Sequence, residues 1–487
     1  MKAWKTVIFI FATLIGLALI CLFFPKDGIK TGDANLEFPT LTEALTPAPQ
    51  HETKPDKPAS KAVDEKIEAL HNAKQKEFDN FCHNSSTRIY MPANNEAYLD
   101  PLFEALDNAR NKPVRIMHYG DSQLECDRMT SAIREHFQTS FGGGGQGMVP
   151  AVQPIATFTL GQTVSPALKR FCAFGSSDFR AGHHRYGPMA AMSRVDGSAT
   201  FTFTSRGEKK FPHCQKFQKI SVVMKGKANM TLKTSDSVYT LTPNIANDST
   251  LRIYTTTTAR PTNKVTLNVN GNMDIYGILL DGKNGVAMDN IPMRGCSGTI
   301  FTTIDRSSMA PFFKQQNVGL IILQYGGNSV PYLNGEKNIS HYKEQIKSQI
   351  RLFRQMAPNS RILFIGPADM STRRGGVLQT YPCLEQVISA LREAANEEGA
   401  AFWDMYSAMG GHNSMVEWVN ARPQLAGGDY IHFTPLGAEK MSQMLYDTLL
   451  LYYKFYRFRT GKDPIDKIDT NKSTHNDTAT QKSSAQQ

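Results

Sequence analysis

The residues whose types and spacing can do chemistry together are few. A serine closes the turn Gly120-Asp121-Ser122, and an acid lies three residues before a histidine in Asp429-Tyr-Ile-His432. A serine hydroxyl is a weak nucleophile until a base takes its proton. An Asp three residues before a His can orient the imidazole and stabilise its protonated form, and that imidazole can deprotonate a serine. Gly326-Gly327-Asn328 adds a side-chain amide, and Arg294-Gly-Cys-Ser-Gly298-Thr is a small-residue turn whose backbone N–H could face an oxyanion. Taken alone, Ser122 is equally a helix N-cap.

These residues must be held by elements that bring them to one place. Val114–Tyr119 is apolar enough for a buried strand, and helical spacing follows from Gln123 to Gln138. The helix's positive end would point at the serine. Val318–Tyr325 is a continuous apolar run, as expected of a parallel strand covered on both faces. Arg361–Ile365 and Ala400–Trp403 read as further strands. Asp100–Arg110, Tyr342–Met356, Leu384–Glu398 and Pro435–Tyr456 read as helices, Asp100 being an N-cap and Pro101 a first helical residue. Strand–helix alternation predicts an α/β fold with a doubly wound parallel sheet. Its active site lies at the carboxyl ends of the strands, where Ser122, Asn328 and the Asp429–His432 segment all fall.

The texture changes between 151 and 282. Short alternating runs over Ala199–Ser205, Lys219–Lys225, Asn229–Lys233, Val238–Thr242, Leu251–Thr257, Lys264–Val269 and Met273–Leu280 predict an all-β jelly-roll or sandwich domain. It would be inserted into the α/β domain, leaving that domain discontinuous over 63–150 and 283–459. Asn270-Gly271 and Asp281-Gly282 are expected turns. Phe141-Gly-Gly-Gly-Gly-Gln-Gly-Met-Val-Pro150 lacks a P-loop ending and follows a helix, so it reads as a flexible loop near the active-site rim.

The order Gly-Asp-Ser, Gly, Gly-x-Asn, Asp-x-x-His resembles the SGNH/GDSL hydrolase family. The resemblance covers Val114–Gly147 and Asp289–Tyr456, and implies a flavodoxin-like hydrolase fold. It makes Ser122 the nucleophile, His432 the base and Asp429 the orienting acid. The Ser122 N–H, the Gly298 N–H and the Asn328 amide would form the oxyanion hole, with Gly295 a competitor for the place of Gly298. Asp121 shapes the turn. Two departures stand out: the usual Gly-Asp-Ser-Leu reads Gly-Asp-Ser-Gln, and Ser122 lies far from Gly298, a distance that the β insert explains. An interrupted hydrolase outside the cytoplasm is similar to the bacterial peptidoglycan O-acetylesterases, in which the insert resembles a carbohydrate-binding module. The resemblance implies an ester hydrolase removing acetyl groups from cell-wall glycan, with no cofactor. The alternatives are an O-acetyltransferase using the same site, a non-catalytic glycan-binding protein, and a lipase or thioesterase with a larger acyl pocket.

The remaining composition bounds the partners. The 487 residues carry a net charge of +10, but the positive residues are scattered and no nucleic-acid motif is present. A basic surface suits a carboxylate-bearing polymer such as peptidoglycan. Lys2 and Lys5 precede Val7–Phe24, eighteen uncharged residues. That pattern predicts an uncleaved membrane anchor over 1–25, with the domain exported to the periplasmic side of a bacterial inner membrane. Residues 26–62 read as a disordered tether, Val63–Phe81 as a helix and 460–487 as a disordered tail. None of the seven cysteines forms a CxxC pair, and both disulfides and buried thiols are open. His183, His184 and His412 lack metal-ligand spacing, so no metal is expected. His118, Trp403 and Trp418 read as core, as do Phe203, Tyr239 and Tyr254, which could otherwise stack on sugar. Glu125, Asp127 and Arg128 read as surface or interdomain ion pairs, with Arg128 able to attract an anionic substrate.

Overall fold

The computed structural model describes residues 3–25, 29–31, 34–36, 40, 59–206, 210–241 and 251–462. Most of the expected tether and tail lies outside the described residues. Met1–His71 and Asn72–Gln487 are two units. In the first, Ala3–Phe23 is one helix, and Ile29–Thr31 pairs antiparallel with Ala34–Leu36. Among the described residues no helix is long and apolar enough to cross a membrane, so the expected anchor is not supported. The helix expected from Val63 runs Ala59–Asn84.

In the second unit, Val114–Gly120 is buried at every position because it lies inside a six-stranded sheet covered on both faces. The strand order is Val286–Pro292, Val114–Gly120, Val318–Gln324, Arg361–Ile365, Ala401–Trp403 and Ile89–Tyr90. The first five run parallel and the last antiparallel. Side chains alternate between two cores, as the pleat requires. Val114, Ile116, Leu320, Ile322 and Leu363 join Phe103, Ile133 and Leu445 from helices Asp100–Asp107, Thr130–Phe141 and Pro435–Arg459. Met117, Tyr119, Ile321, Leu323 and Phe364 join Ile350 and Leu391 from helices Glu336–Met356 and Leu384–Glu397. This is the expected doubly wound α/β layering.

Between helix Thr130–Phe141 and strand Val286–Pro292, the chain forms an eight-stranded antiparallel sheet. Its strands are longer than expected. Phe217–Lys233 merges two expected runs and Lys264–Asp281 merges two more. Asn270-Gly271 is therefore not a turn: it pairs with Asn229 and Ala228 on one side, and with Ser198 and Gly197 on the other. The two long strands change partners along their length. Lys264–Asp281 pairs first with Ala191–Ser205 and then with Gly145–Val149. One apolar cluster contains Phe201, Leu267 and Met230 together with Val222, Ile278 and Val149, so the two halves of this sheet enclose a shared core.

The glycine-rich stretch also differs from expectation. Gly145–Val149 is a buried strand, not a flexible loop. Gly143, Gly145 and Gly147 have φ of +128°, +81° and +73°. A Cβ on each would lie 2.3, 2.1 and 2.4 Å from the carbonyl oxygens of Val286, Leu280 and Met288. Glycine is needed because backbones from both sheets pass at contact distance.

Candidate active site

Ser122 sits where the Val114–Gly120 strand ends, at the carboxyl edge of the parallel sheet. The turn is shaped by Asp121, whose Oδ1 accepts the Gln123 N–H at 2.9 Å and whose Oδ2 accepts the Asn328 amide at 3.1 Å. The continuous helix expected from Gln123 is broken. A 3-10 stretch, Ser122–Asp127, is kinked at Glu125 and Cys126, and the α-helix starts only at Thr130. Cys126 and Asp127 both take positive φ, +61° and +65°, which no α-helix accommodates. The helix dipole therefore does not begin at Ser122. Asp127 is not a surface ion-pair residue: it is buried against Arg134 at 2.7 and 3.1 Å, and accepts the Thr159 hydroxyl at 2.9 Å.

The structure brings Ser122, His432 and Asp429 into one relay. Ser122 Oγ lies 2.7 Å from His432 Nε2, and His432 Nδ1 lies 2.7 Å from Asp429 Oδ2. Asp429 Oδ1 also accepts the backbone N–H groups of Ile431 and His432, at 3.1 and 3.0 Å. Burial opposes its ionisation, but the hydrogen bonds from the His432 side chain and the two backbone N–H groups outweigh it, holding the carboxyl below its ordinary pKa. The loop carrying both residues is closed on itself: Gly427 N–H donates to His432 O at 2.7 Å, and Tyr430 N–H donates to Gly427 O at 3.0 Å. After it, the Thr434 hydroxyl accepts the Gly437 N–H and Pro435 opens the last helix.

Sequence reasoning missed one residue of this assembly. Gln123 is buried and clamps the His432 loop to the Ser122 turn. Its Nε2 donates to Ile431 O at 2.7 Å, and its Oε1 accepts the Phe433 N–H at 3.3 Å. The signal was present as the unusual Gln after Gly-Asp-Ser.

Asn328 and Ser122 share a cavity of about 180 Å³ with Tyr325, Pro331, Met370 and Ile431. Both amide hydrogens of Asn328 are committed, one to Asp121 and one to Cys296 O at 3.3 Å. Gly298 is not brought to this cavity's lining, and its N–H points at Cys296 Sγ, 3.4 Å away. Its φ of +80° and the Tyr325 ring, 2.6 Å from where a Cβ would stand, explain why glycine is there. Asp121, enclosed beside these groups, has its pKa raised to about 6 by burial, against the pull of the Gln123 N–H, His432 and Asn328. His118 is a core residue: it lies 3.0 Å from Gln324 Oε1 and 3.1 Å from Thr130 Oγ1, and burial lowers its pKa to about 4, so it stays neutral. Phe203, Trp403 and Trp418 are buried, while Tyr239 and Tyr254 are partly buried against the β core. All seven cysteines are free thiols. Arg128 is turned to the backbone oxygens of Glu125 and Phe433.

Residues 258–440 match the model of the GDSL-like Lipase/Acylhydrolase family, a segment that holds Gly298, Asn328, Asp429 and His432. No curated protein matches the chain. A solved peptidoglycan O-acetylesterase is 21% identical, covers 76% of this chain and 100% of its own, and superposes with a TM-score of 0.62, which shows a shared fold. A putative GDSL-like lipase from Parabacteroides merdae (14% identity, 34% and 72% coverage, TM-score 0.27) is more distant. So is a family two carbohydrate esterase from Cellvibrio japonicus (8% identity, 61% and 99% coverage, TM-score 0.24).

Proposed function

We infer that this chain, whose residues 258–440 match the GDSL-like lipase/acylhydrolase family, is an O-acetylesterase of cell-wall glycan that works through an acetyl-Ser122 intermediate. The observation that carries this reading is the relay of two 2.7 Å contacts, Ser122–His432 and His432–Asp429, opening on a small cavity. At about 180 Å³ the cavity is below the roughly 300–1,000 Å³ of sites that enclose drug-sized ligands, which favours a short acyl group over a lipid chain. The likeness in fold to a peptidoglycan O-acetylesterase and the net charge of +10 support an acidic wall polymer as its carrier.

In this mechanism Ser122 Oγ attacks the acetyl carbonyl as His432 Nε2 takes its proton. Asp429 holds Nδ1–H and offsets the charge of the imidazolium. The oxyanion is met by the Ser122 N–H and by the Asn328 amide, which gives up its longer bond to Cys296 O. Gly298 would act as a third donor by turning its N–H from the weak acceptor Cys296 Sγ. His432 returns the proton to the sugar oxygen, and water then attacks acetyl-Ser122 with His432 again as base. Export of the enzyme belongs to the same proposal, supported by the uncharged run Val7–Phe24 behind Lys2 and Lys5. Cell fractionation tests that part.

The activity is tested by acetate release from O-acetylated peptidoglycan and from a small acetyl ester. Wild type should release acetate from both, and Ser122→Ala should lower turnover by a factor on the order of 10⁶. Wild type indistinguishable from Ser122→Ala on every acetyl ester sinks the reading. Acetyl transfer to an added oligosaccharide in preference to water replaces it with a transferase.

A further inference from the structure

A cavity other than the one that Ser122 lines borders the 3-10 stretch Ser122–Asp127. It measures about 290 Å³ and is walled by Glu125 and Cys126 on one side and by the β-rich segment on the other. Its body is apolar, formed by Met148, Leu160, Phe174 and Met189 among others. Its ionisable groups are unevenly paired. Asp127 and Arg134 neutralise each other in their buried bidentate pair. Glu125 faces Arg294 at 3.6 Å, and the Arg294 side chain is 73% exposed. Arg170 lines the cavity without an acidic partner among the described residues. One positive charge is left over above an apolar body, which fits a ligand with an aliphatic part and a carboxylate.

Distance relates this cavity to the chemistry. Glu125 lies three residues after Ser122, so their Cα atoms are at most about 10 Å apart. A sugar with its acetyl group at Ser122 can extend a second substituent that far. We propose that this cavity receives the carboxylate-bearing peptide stem of the acetylated glycan, with Arg170 meeting the carboxylate, Arg294 turning to it from its long, exposed contact with Glu125, and the apolar wall meeting the aliphatic side chains. This rests on the glycan O-acetylesterase reading above. It makes the β-rich segment, which supplies Arg170, Phe174 and Met189, a determinant of which wall fragment is deacetylated.

The test uses acetylated glycan fragments with the peptide stem intact, the same fragments with the stem removed, and a small acetyl ester. Arg170→Ala and the double variant Arg170→Ala/Arg294→Ala should lose about tenfold or more in kcat/KM on the stem-bearing fragment, the loss expected when a charge-assisted contact goes. Both should stay near wild type on the stem-free fragment and the small ester, which reports an intact fold and relay. Binding is measured separately on Ser122→Ala by calorimetry, where stem-bearing fragments should bind more tightly than stem-free ones, and Arg170→Ala should remove the difference. Equal losses on all three substrates, no loss on any, or a fatty acid competing as well as the stem overturns the proposal. Wild-type release of acetate from the small ester but from neither glycan defeats the glycan reading instead.

Discussion

Single residues set the site. Gln123 replaces an apolar residue with an amide whose two ends both bind the loop carrying His432. Gln123→Leu would leave a buried carbonyl and N–H unpaired, at a cost of about 1–3 kcal/mol. We expect that loss in urea unfolding, and a fall in kcat for the small ester larger than any rise in KM, because the base loosens while the cavity stays. Asp121 titrates at about 6 in the folded protein because burial disfavours its charge. An acid whose folded pKa is raised holds its proton longer in the folded state, so its contribution to stability is full below the unfolded value near 4 and is lost as pH rises through about 6. Asp121→Asn removes this step, and unfolding at pH 4, 5, 6 and 7 should show a flatter difference curve in the variant. A parallel pH dependence in the two proteins would show that Asp121 is not the group. The same variant turns an amide donor toward Asn328 and should lower kcat. Ser122, Asp429 and His432 were legible as a group because an activated serine demands those types in that arrangement, and the structure brings them within hydrogen-bond distance. Gln123 stood out only as an unusual residue after Gly-Asp-Ser, and its role was not legible because an amide clamp has no spacing of its own.

At the scale of elements, strands buried on both faces were readable and the exceptions came from long-range backbone contact. Val318–Gln324 announced itself as an apolar run. The Gly145–Val149 strand did not, since its glycines answer to the backbone of Leu280 and Met288, far along the chain. Asn270-Gly271 carried a hairpin's residues within a strand flanked on both sides. The helical spacing after Ser122 is overridden for a similar reason: Asp127 leaves helical geometry to meet Arg134. That pair is nearly inaccessible, so removing one partner strands a buried charge. Asp127→Ala is expected to cost about 3–5 kcal/mol, measured by chemical denaturation. A cost below 1 kcal/mol would mean that water or Thr159 replaces the carboxylate without penalty, and that the kink does not depend on the pair.

Across the whole of Asn72–Gln487, the parallel sheet and the antiparallel sheet are bound together in two ways. Tyr119, Phe301 and Ile321 share one apolar cluster with Met148, Met189, Tyr276 and Leu279. Arg115, buried on the central strand, pairs with Asp289 on the neighbouring parallel strand and with Asp281 at the end of the long antiparallel one. Asp289 also accepts the Met148 N–H at 2.7 Å. A joint of this kind couples the two sheets energetically, because neither can separate without exposing apolar surface and leaving charges unpaired. We therefore predict that Arg115→Ala costs about 3–5 kcal/mol and shifts both sheets together. Trp403 and Trp418 lie in the α/β layers, so their fluorescence follows that part, while far-UV circular dichroism follows both. The two probes should give coincident midpoints in wild type and in Arg115→Ala, each moved by the same amount. A dichroism step that fluorescence does not register would show instead that the antiparallel sheet unfolds by itself, with the Arg115 joint a contact between separately stable parts.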